Sequence, residues 1–444
     1  MERQVKVLLR SLGCDKNLVD AEMMLGLLAE AGYELTDDES QAEAVIVNTC
    51  CFIMDAKQES IDCLIDYGRL KEEGRCRALI ATGCLAQRYA KEIHEEIPEV
   101  DAIVGTASFD HIAEVLKSCL DRSPKDCLED MSRAVYGKKR ILSTGGHYAH
   151  LKIAEGCDKR CTYCAIPSFR GHYRSVPMEV LLEEAKTLAD GGVRELILVA
   201  QETTRYGIDL YGKKSLSTLI KELCRIEDLK WIRILYCYPE ELDDELIETI
   251  ATEPKVCHYL DMPIQHSEDR ILKLMGRAAT KDGLKKVIGR LMERIPDICI
   301  RTTLISGFPS ETDEEAQALK DFVKEMGFDR LGVFAYSPEE DTPAAGMPGQ
   351  IDEEVKNARR DEIMALQQEI AFEQAAALKG KVLECIVEGS IPEEQVLVLR
   401  SYRDAPEVDG YVFVDTGHEY MSGSIVKVKI NGSEEYDLIG EIAE

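Results

Sequence analysis

The sequence predicts an α/β protein built from a doubly wound parallel sheet, a central partial (βα)6 barrel and a small all-β barrel. Strand and helix patterns alternate from the N-terminus to about residue 350, which is typical of parallel sheets. From Lys381 onwards, short strand patterns are separated by Gly, Pro and Asn turns, which indicates an all-β unit. A length of 444 residues is enough for about three domains.

The first predicted domain covers residues 1–121. Its apolar patterns predict four strands, at Val5–Leu12, Ala44–Asn48, Ala78–Thr82 and Asp101–Val104. Helical patterns follow each strand, and Gly32 marks the end of the first of them, Leu18–Ala31. This βα alternation predicts a doubly wound sheet whose strand ends share one edge.

Residues 122–146 lack clear periodicity and contain Ser123-Pro124 and Gly145-Gly146, so we interpret them as a connector. The central domain is predicted to cover residues 147–375 and ends in a long charged helical run. Its strands are predicted at His150–Glu155, Glu195–Gln201, Trp231–Tyr236, Tyr259–Pro263, Cys299–Ser306 and Leu331–Tyr336. Six βα units are too few for a closed eight-unit barrel, which favours a partial, open one. Residues 376–444 are the predicted small β-barrel.

The composition points to a cytoplasmic protein with reduced thiols. No apolar run approaches the roughly 20 residues that cross a bilayer, and the N-terminus enters a strand pattern without the cleavage region of a signal peptide. We therefore expect no membrane partner. The net charge of −29 disfavours non-specific binding to nucleic acid and favours basic proteins as partners.

The central domain's most informative stretch is the segment 155–164, with three cysteines at Cys157, Cys161 and Cys164. This loop trio lies directly beyond the first strand of the predicted barrel. Three thiolates do not complete a structural zinc site, which takes four ligands. They can hold a four-iron, four-sulfur cluster and leave one iron open for another ligand.

A second set of three cysteines is formed by Cys14, Cys50 and Cys84, each just past one of the first three strands. We call it the sheet-edge trio, because the predicted topology gathers these residues at one edge of the sheet. Cys51 adjoins Cys50, but neighbouring side chains in extended chain point opposite ways, so only one should face the site. Any single cysteine could instead be a small buried core residue, and we assign the other cysteines to that role.

With both trios placed, the chain resembles the methylthiotransferases, a family of radical S-adenosylmethionine (SAM) enzymes. The CxxxCxΦC spacing of the loop trio is the signature of radical SAM enzymes, and the likeness covers nearly the whole chain. It resembles most the subgroup that modifies an aspartate of ribosomal protein S-twelve. That likeness is carried by Ser11–Asp20, Leu260–His266, Asp329–Asp341 and Arg403–Gly410. Cys51 departs from the glycine expected after the middle cysteine.

The resemblance implies two [4Fe-4S] clusters and SAM as cofactors, with the six cysteines as metal ligands. The loop-trio cluster would cleave SAM to a 5′-deoxyadenosyl radical, while the sheet-edge cluster would carry sulfur and a second SAM would give the methyl group. It implies a TIM-like radical SAM barrel and a C-terminal TRAM domain. Its SAM-contacting positions would be Gln201, Arg301, Gly307, Phe308 and Tyr163. The resemblance assigns no side chain a catalytic role.

Three functions remain open at this stage. The first is methylthiolation of the aspartate β carbon in ribosomal protein S-twelve, with an electron donor such as flavodoxin or ferredoxin. The second is methylthiolation of adenosine in tRNA, and the third is a non-catalytic iron–sulfur electron carrier. Residues 376–444 carry six Lys/Arg and fourteen Asp/Glu, a net charge of −8. An RNA-binding domain should have a basic face, so the charge favours the basic protein substrate.

Overall fold

The first domain of the computed structural model, which describes residues 4–443, is a parallel sheet with helices on both faces. Its strands are β1 (Lys6–Ser11), β2 (Glu34–Leu35), β3 (Ala44–Thr49), β4 (Ala78–Thr82) and β5 (Ala102–Val104). Its helices are α1 (Asp15–Glu30), α2 (Met54–Glu72), α3 (Gly83–Arg88), α4 (Ala90–Glu96) and α5 (Ile112–Leu120). The order β2-β1-β3-β4-β5 confirms the doubly wound sheet, and β2 is the strand that periodicity missed.

Alternation along these strands explains why both sheet faces are covered. Val45 and Val47 pack with α2, α3 and α4, whereas Ala44 and Ile46 pack with α1 and α5. A strand buried on both faces reads as a continuous apolar run, as β3 does. The segment 121–147 that follows holds no helix or strand, although Cys127 forms a bridge to Val104.

The central domain is an open six-stranded parallel sheet with helices on its outer face, as predicted. Its strands are β6 (Tyr148–Lys152), β9 (Glu195–Val199), β10 (Trp231–Ile234), β11 (Val256–Asp261), β12 (Cys299–Ser306) and β13 (Arg330–Ala335), with a small hairpin of β7 (Ala154–Glu155) and β8 (Arg174–Ser175). The helices are α6 (Ile166–Arg170), α7 (Met178–Asp190), α8 (Ile208–Tyr211), α9 (Leu216–Leu223), α10 (Asp244–Thr252), α11 (Asp269–Leu274), α12 (Lys281–Arg294), α13 (Asp313–Met326) and α14 (Glu353–Ala376). The strand order β13-β12-β11-β10-β9-β6 follows the chain and does not close. The predicted strand His150–Glu155 is divided in the structure, because β6 ends at Lys152 and β7 begins at Ala154.

Because β6 ends at Lys152, the chain leaves the central sheet there and then forms the cysteine loop. After β6, β7 pairs with β8 and not with the central sheet, and Gly156, with φ of +77°, follows β7 at the start of the loop between these two strands. A Cβ at Gly156 would lie 2.1 Å from the His172 carbonyl oxygen. Only glycine permits both this left-handed backbone and the close approach, so the loop begins where the strand pattern ends.

The C-terminal domain is a closed five-stranded barrel, again as predicted. Its strands are β14 (Val382–Ile391), β15 (Val396–Ser401), β16 (Val412–Asp415), β17 (Ile425–Glu434) and β18 (Asp437–Ile442). They close in the order β14-β15-β16-β18-β17. Alternating residues such as Leu397 and Leu399 fill the interior.

Buried polar contacts hold the C-terminal domain against the N-terminal ends of the central strands. Glu195 at the start of β9 accepts hydrogen bonds from Arg233 at 2.7 Å and from Arg400 of β15 at 2.6 Å. All three side chains are fully buried. Asp409 adds a contact by accepting from the Tyr259 hydroxyl at 2.7 Å. The C-terminal domain thus covers this mouth of the open barrel and leaves the opposite, C-terminal strand ends for a site. Among residues 4–443, no helix has the length and apolar character needed to cross a membrane.

Candidate active site

The sheet-edge trio gathers where the first-domain topology predicted. Cys14 precedes α1 as its N-cap, Cys50 directly follows β3, and Cys84 is the second residue of α3. The thiols of Cys14, Cys50 and Cys51 are all electrostatic neighbours of the Cys84 thiol. Cys50 and Cys84 are buried and Cys14 is half-buried. Cys51 is buried in the same apolar cluster as Cys84, together with Leu64 and Leu79.

Tight backbone turns bring these cysteines together. Gly13 and Gly83 have φ of +89° and +90°, a conformation that favours glycine. A Cβ at Gly83 would lie 2.4 Å from the Thr49 carbonyl oxygen. The Ser60 hydroxyl accepts from the Cys50 amide at 2.9 Å and donates to the Cys50 carbonyl at 3.0 Å, which fixes the loop after β3.

The loop trio lies at the C-terminal ends of the central strands. The Cys157 Sγ accepts from the Lys159 amide at 3.4 Å, and the Cys161 Sγ is 3.8 Å from the Tyr238 hydroxyl. Burial raises the pKa of the Cys157 thiol to about 11 and that of the Cys164 thiol to about 12. Both other loop-trio thiols are electrostatic neighbours of Cys164, so this trio also converges.

Three of the predicted SAM-contacting residues lie in the cysteine loop or contact residues next to it. Tyr163 packs against a buried apolar group that contains Phe308, Met275 and Tyr336. The Phe308 and Tyr336 rings meet edge to face with centroids 5.3 Å apart. Gln201 follows β9 and donates to Glu155 at 2.6 Å, while its buried Oε1 has no hydrogen-bond partner. An unpaired buried acceptor is unusual and is suited to a ligand's donor.

The other two predicted SAM contacts have protein partners of their own. Arg301 on β12 donates to Asp261 at 3.0 Å. Gly307 has φ of +70°, its amide donates to Glu311 at 3.0 Å, and a Cβ there would lie 2.2 Å from Lys356 Cγ of α14. The close approach of α14 therefore explains this glycine. SAM binding at all five positions stays a prediction.

A buried polar network connects Cys84 of the sheet-edge trio with Glu155, two residues before Cys157, and sequence reasoning missed it. Arg170 of α6 contacts Cys84, Asp20 and Glu155, and Lys152 donates to Glu155 at 2.8 Å. Lys152 also contacts Asp20. Only the position of Arg170, six residues beyond Cys164, could have suggested a role. Contacts between separate domains are not encoded in local periodicity.

A cavity of about 100 Å³ is lined by residues that are neighbours in sequence of one cysteine from each trio. Its lining includes Phe52 and Ile53, which follow Cys50, and Tyr163, which precedes Cys164. Thr303 and Tyr336 contribute from the central strand ends. A group in this cavity would therefore be close to chain segments that carry both trios.

The donor chemistry of both trios fits iron–sulfur clusters. All sixteen cysteines are free thiols, so none is committed to a disulfide. Within residues 4–443, no group of three or more His, Cys, Asp and Glu side chains is arranged to hold a metal ion. In a [4Fe-4S] cluster each cysteine thiolate binds a different iron, so the three thiolates need not surround a single metal position. Iron binding also deprotonates a coordinating thiol, which overcomes the raised thiol pKa values.

Three known families match consecutive parts of the chain. Residues 6–105 match the uncharacterized protein family UPF0004, residues 151–323 match the radical SAM superfamily, and residues 380–443 match the TRAM domain. The fold, the cysteine loop and these matches together define a radical SAM enzyme with a TRAM domain. An enzyme of this class uses a [4Fe-4S] cluster and SAM.

Full-length relatives narrow the class further. The chain is 55% identical over 437 residues to the ribosomal protein uS12 methylthiotransferase RimO of Lachnoclostridium phytofermentans, covering 98% of this chain and 99% of that protein. It is 49% identical to the protein of the same name from Clostridioides difficile, with 99% of each chain covered. The chain belongs to the RimO family of radical SAM methylthiotransferases.

Solved structures support the fold alone. The radical SAM methyltransferase TsrM from Kitasatospora setae aligns with a TM-score of 0.55 at 15% identity, covering 77% of this chain and 74% of that one. The cobalamin-dependent SAM radical enzyme OxsB aligns with a TM-score of 0.51 at 13% identity, covering 83% of this chain and 56% of that one.

Proposed function

We propose that this enzyme adds a methylthio group to the β carbon of an aspartate in ribosomal protein uS12, using two SAM molecules per turnover. The observation that carries the proposal is a cavity lined by Phe52, two residues after Cys50, and by Tyr163, which precedes Cys164, in a chain whose full-length relatives are named for this activity. We propose that residues 1–121 deliver sulfur, residues 147–375 generate the radical and residues 376–444 dock the substrate. Residues 122–146 serve as the connector.

The residues of each trio have distinct proposed roles. Cys157, Cys161 and Cys164 hold one [4Fe-4S] cluster, and Cys14, Cys50 and Cys84 hold a second. When bound, the two clusters and SAM supply one-electron reduction, hydrogen abstraction from unactivated carbon and sulfur and methyl transfer. An electron donor such as flavodoxin or ferredoxin supplies the reducing electron.

In this proposal, the side chains at the predicted SAM-contacting positions exclude water and orient the reactants. Tyr163 and Phe308 form an apolar wall beside the loop trio. This wall shields a reactive radical from solvent, which is one purpose of a closed site. The unpaired Gln201 Oε1 accepts a hydrogen bond from SAM in this proposal, while Arg301 and Gly307 shape the strand ends to which it binds.

Charge at the C-terminal domain supports a basic protein as substrate. Two of its six cationic side chains, Arg400 and Arg403, are paired with Glu195 and Asp329 of the central domain. Those two arginines are therefore withdrawn from the domain's free surface. An acidic surface speeds and orients the docking of a basic protein, whereas RNA binding needs exposed cations.

The test is a product assay with both candidate substrates. Anaerobically reconstituted enzyme is incubated with SAM, sulfide and a reductant, together with either uS12 or tRNA, and the products are weighed by mass spectrometry. We expect a mass gain of one methylthio group on uS12, lost in Cys50→Ala. A gain on tRNA alone would replace the proposal with the tRNA activity. Cleavage of SAM to 5′-deoxyadenosine without a methylthio product on either substrate would support only the radical-generating part of the proposal.

A further inference from the structure

Arg170 is a buried arginine of the central domain that reaches into the sheet-edge trio of the first domain. It ends α6, directly after the cysteine loop, and only 2% of its side chain is exposed. Its Nε donates to the Cys84 Sγ at 3.3 Å.

The rest of the guanidinium is fixed by both domains. Its Nη1 donates to Asp20 of α1 at 2.7 Å and to Glu155 of β7 at 3.1 Å, and its Nη2 contacts the Asn17 side chain. Asn17 in turn donates to the carbonyls of Leu12 and Thr49 at 2.9 Å. A planar guanidinium with its donors used in this way has one orientation, so Nε points at sulfur.

A cation that donates to a cluster ligand affects that cluster in two ways. Hydrogen bonds to ligand sulfur and local positive charge stabilise the reduced, more negative cluster, which raises its reduction potential. Burial strengthens both effects because water does not screen them. Lys152 also pairs with Asp20 and Glu155, so the charges around the guanidinium are balanced. The hydrogen bond from Arg170 Nε to Cys84 Sγ is the arginine's direct contact with the trio.

We propose that Arg170 is a positioning residue for the sheet-edge trio: the central domain inserts it to orient Cys84 and to raise the reduction potential of the cluster held there. This inference rests on the proposed function, because it requires a cluster on Cys14, Cys50 and Cys84. The sulfur-delivery site is then complete only when the first and central domains are docked. The domain proposed for sulfur delivery and the domain proposed for radical generation are thereby connected by the contacts of Arg170 with Cys84 and Glu155.

The chain offers a matched control in Arg140. This arginine is also buried between the two domains, and it pairs with Glu22 of α1 and Glu184 of α7, each at 2.5 Å. Its guanidinium donates to the His150 carbonyl and to the carboxylates of Glu184 and Glu22, and to no thiol among the described residues. Arg140→Met should therefore weaken domain docking as Arg170→Met does, without acting on the trio directly.

The experiment is an EPR-monitored redox titration of full-length protein in which Cys157, Cys161 and Cys164 are replaced by Ala, so that only the sheet-edge cluster gives a signal. We expect the ratio of reduced to oxidised cluster at a fixed potential to fall about tenfold in Arg170→Met, which corresponds to about 59 mV for a one-electron couple. Arg170→Lys, which keeps the charge but changes the donor geometry, should give a smaller shift. Arg140→Met should leave the potential unchanged.

Each remaining outcome has one meaning. Loss of the sheet-edge iron from Arg170→Met but not from Arg140→Met would also support the inference. An unchanged potential in both Arg170 variants, or an equal shift in Arg140→Met, would overturn it and leave Arg170 as a docking residue. If the parent protein itself held no cluster on the sheet-edge trio, the proposed function would fail before the inference was reached.

Discussion

Replacing Gly13 by alanine should selectively damage the sheet-edge trio. Gly13 has φ of +89°, and a Cβ there would lie 2.6 Å from Cys50 Cβ and 2.8 Å from Cys50 Sγ. The left-handed backbone costs an alanine about 1–2 kcal/mol, and overpacking at a closed site costs about 1–3 kcal/mol more. We therefore expect Gly13→Ala to destabilise the protein by about 2–5 kcal/mol and to displace Cys50 from the geometry that holds iron.

The assay compares iron content and urea unfolding of Gly13→Ala with those of Gly289→Ala. Gly289 lies within α12 with no other atom within 4 Å of its added Cβ, so alanine there should stabilise the helix by about 0.5–1 kcal/mol. Gly13→Ala should retain about four irons per chain instead of about eight, because the loop trio is untouched. Full iron content with parental stability would refute the argument that Gly13 is required by Cys50.

Three further perturbations test other parts of the account. Cys161→Ala should abolish SAM cleavage, because two thiolates do not retain the cluster; parental production of 5′-deoxyadenosine would rule that role out. Burial raises the pKa of Glu202 from 4.5 to about 7, so its contribution to stability is lost as pH rises through about 7. Glu202→Gln should therefore gain about 2.5 kcal/mol over the parent between pH 5 and pH 8 by thermal unfolding, and a constant difference would contradict this. Arg400→Met leaves Glu195 with one of its two arginines and should cost about 3–5 kcal/mol of unfolding free energy, whereas an unchanged melting temperature would show that the C-terminal domain is not locked in place.

Local sequence patterns predicted the three-domain α/β architecture because each domain repeats one simple periodicity. Apolar runs such as β3 are buried on both faces, and the cysteines directly after β1, β3 and β4 followed from the rule that parallel strand ends share an edge. After β4, one helix ending near Pro98 is expected from the sequence pattern, whereas the structure has two, α3 and α4, which divide at Tyr89; its φ is −123° and its hydroxyl donates to Glu340 of the central domain at 2.7 Å.

What periodicity could not predict are the contacts between domains. Arg170 reads as an ordinary helix-terminal cation, and Arg400 reads as a possible surface charge for RNA. Only the packed structure places the first against Cys84 and the second against Glu195. Long polar side chains carry little local signal because their partners are more than 80 residues away in the sequence.

The most direct test of the central claim is Mössbauer spectroscopy of ⁵⁷Fe-labelled, anaerobically reconstituted protein. Two incomplete sets of thiolates predict two [4Fe-4S] clusters per chain, each with one iron that lacks a cysteine ligand, and added SAM should alter the spectrum of that iron in the loop-trio cluster. A single cluster per chain, or two clusters in which every iron is bound by protein sulfur, would contradict the account.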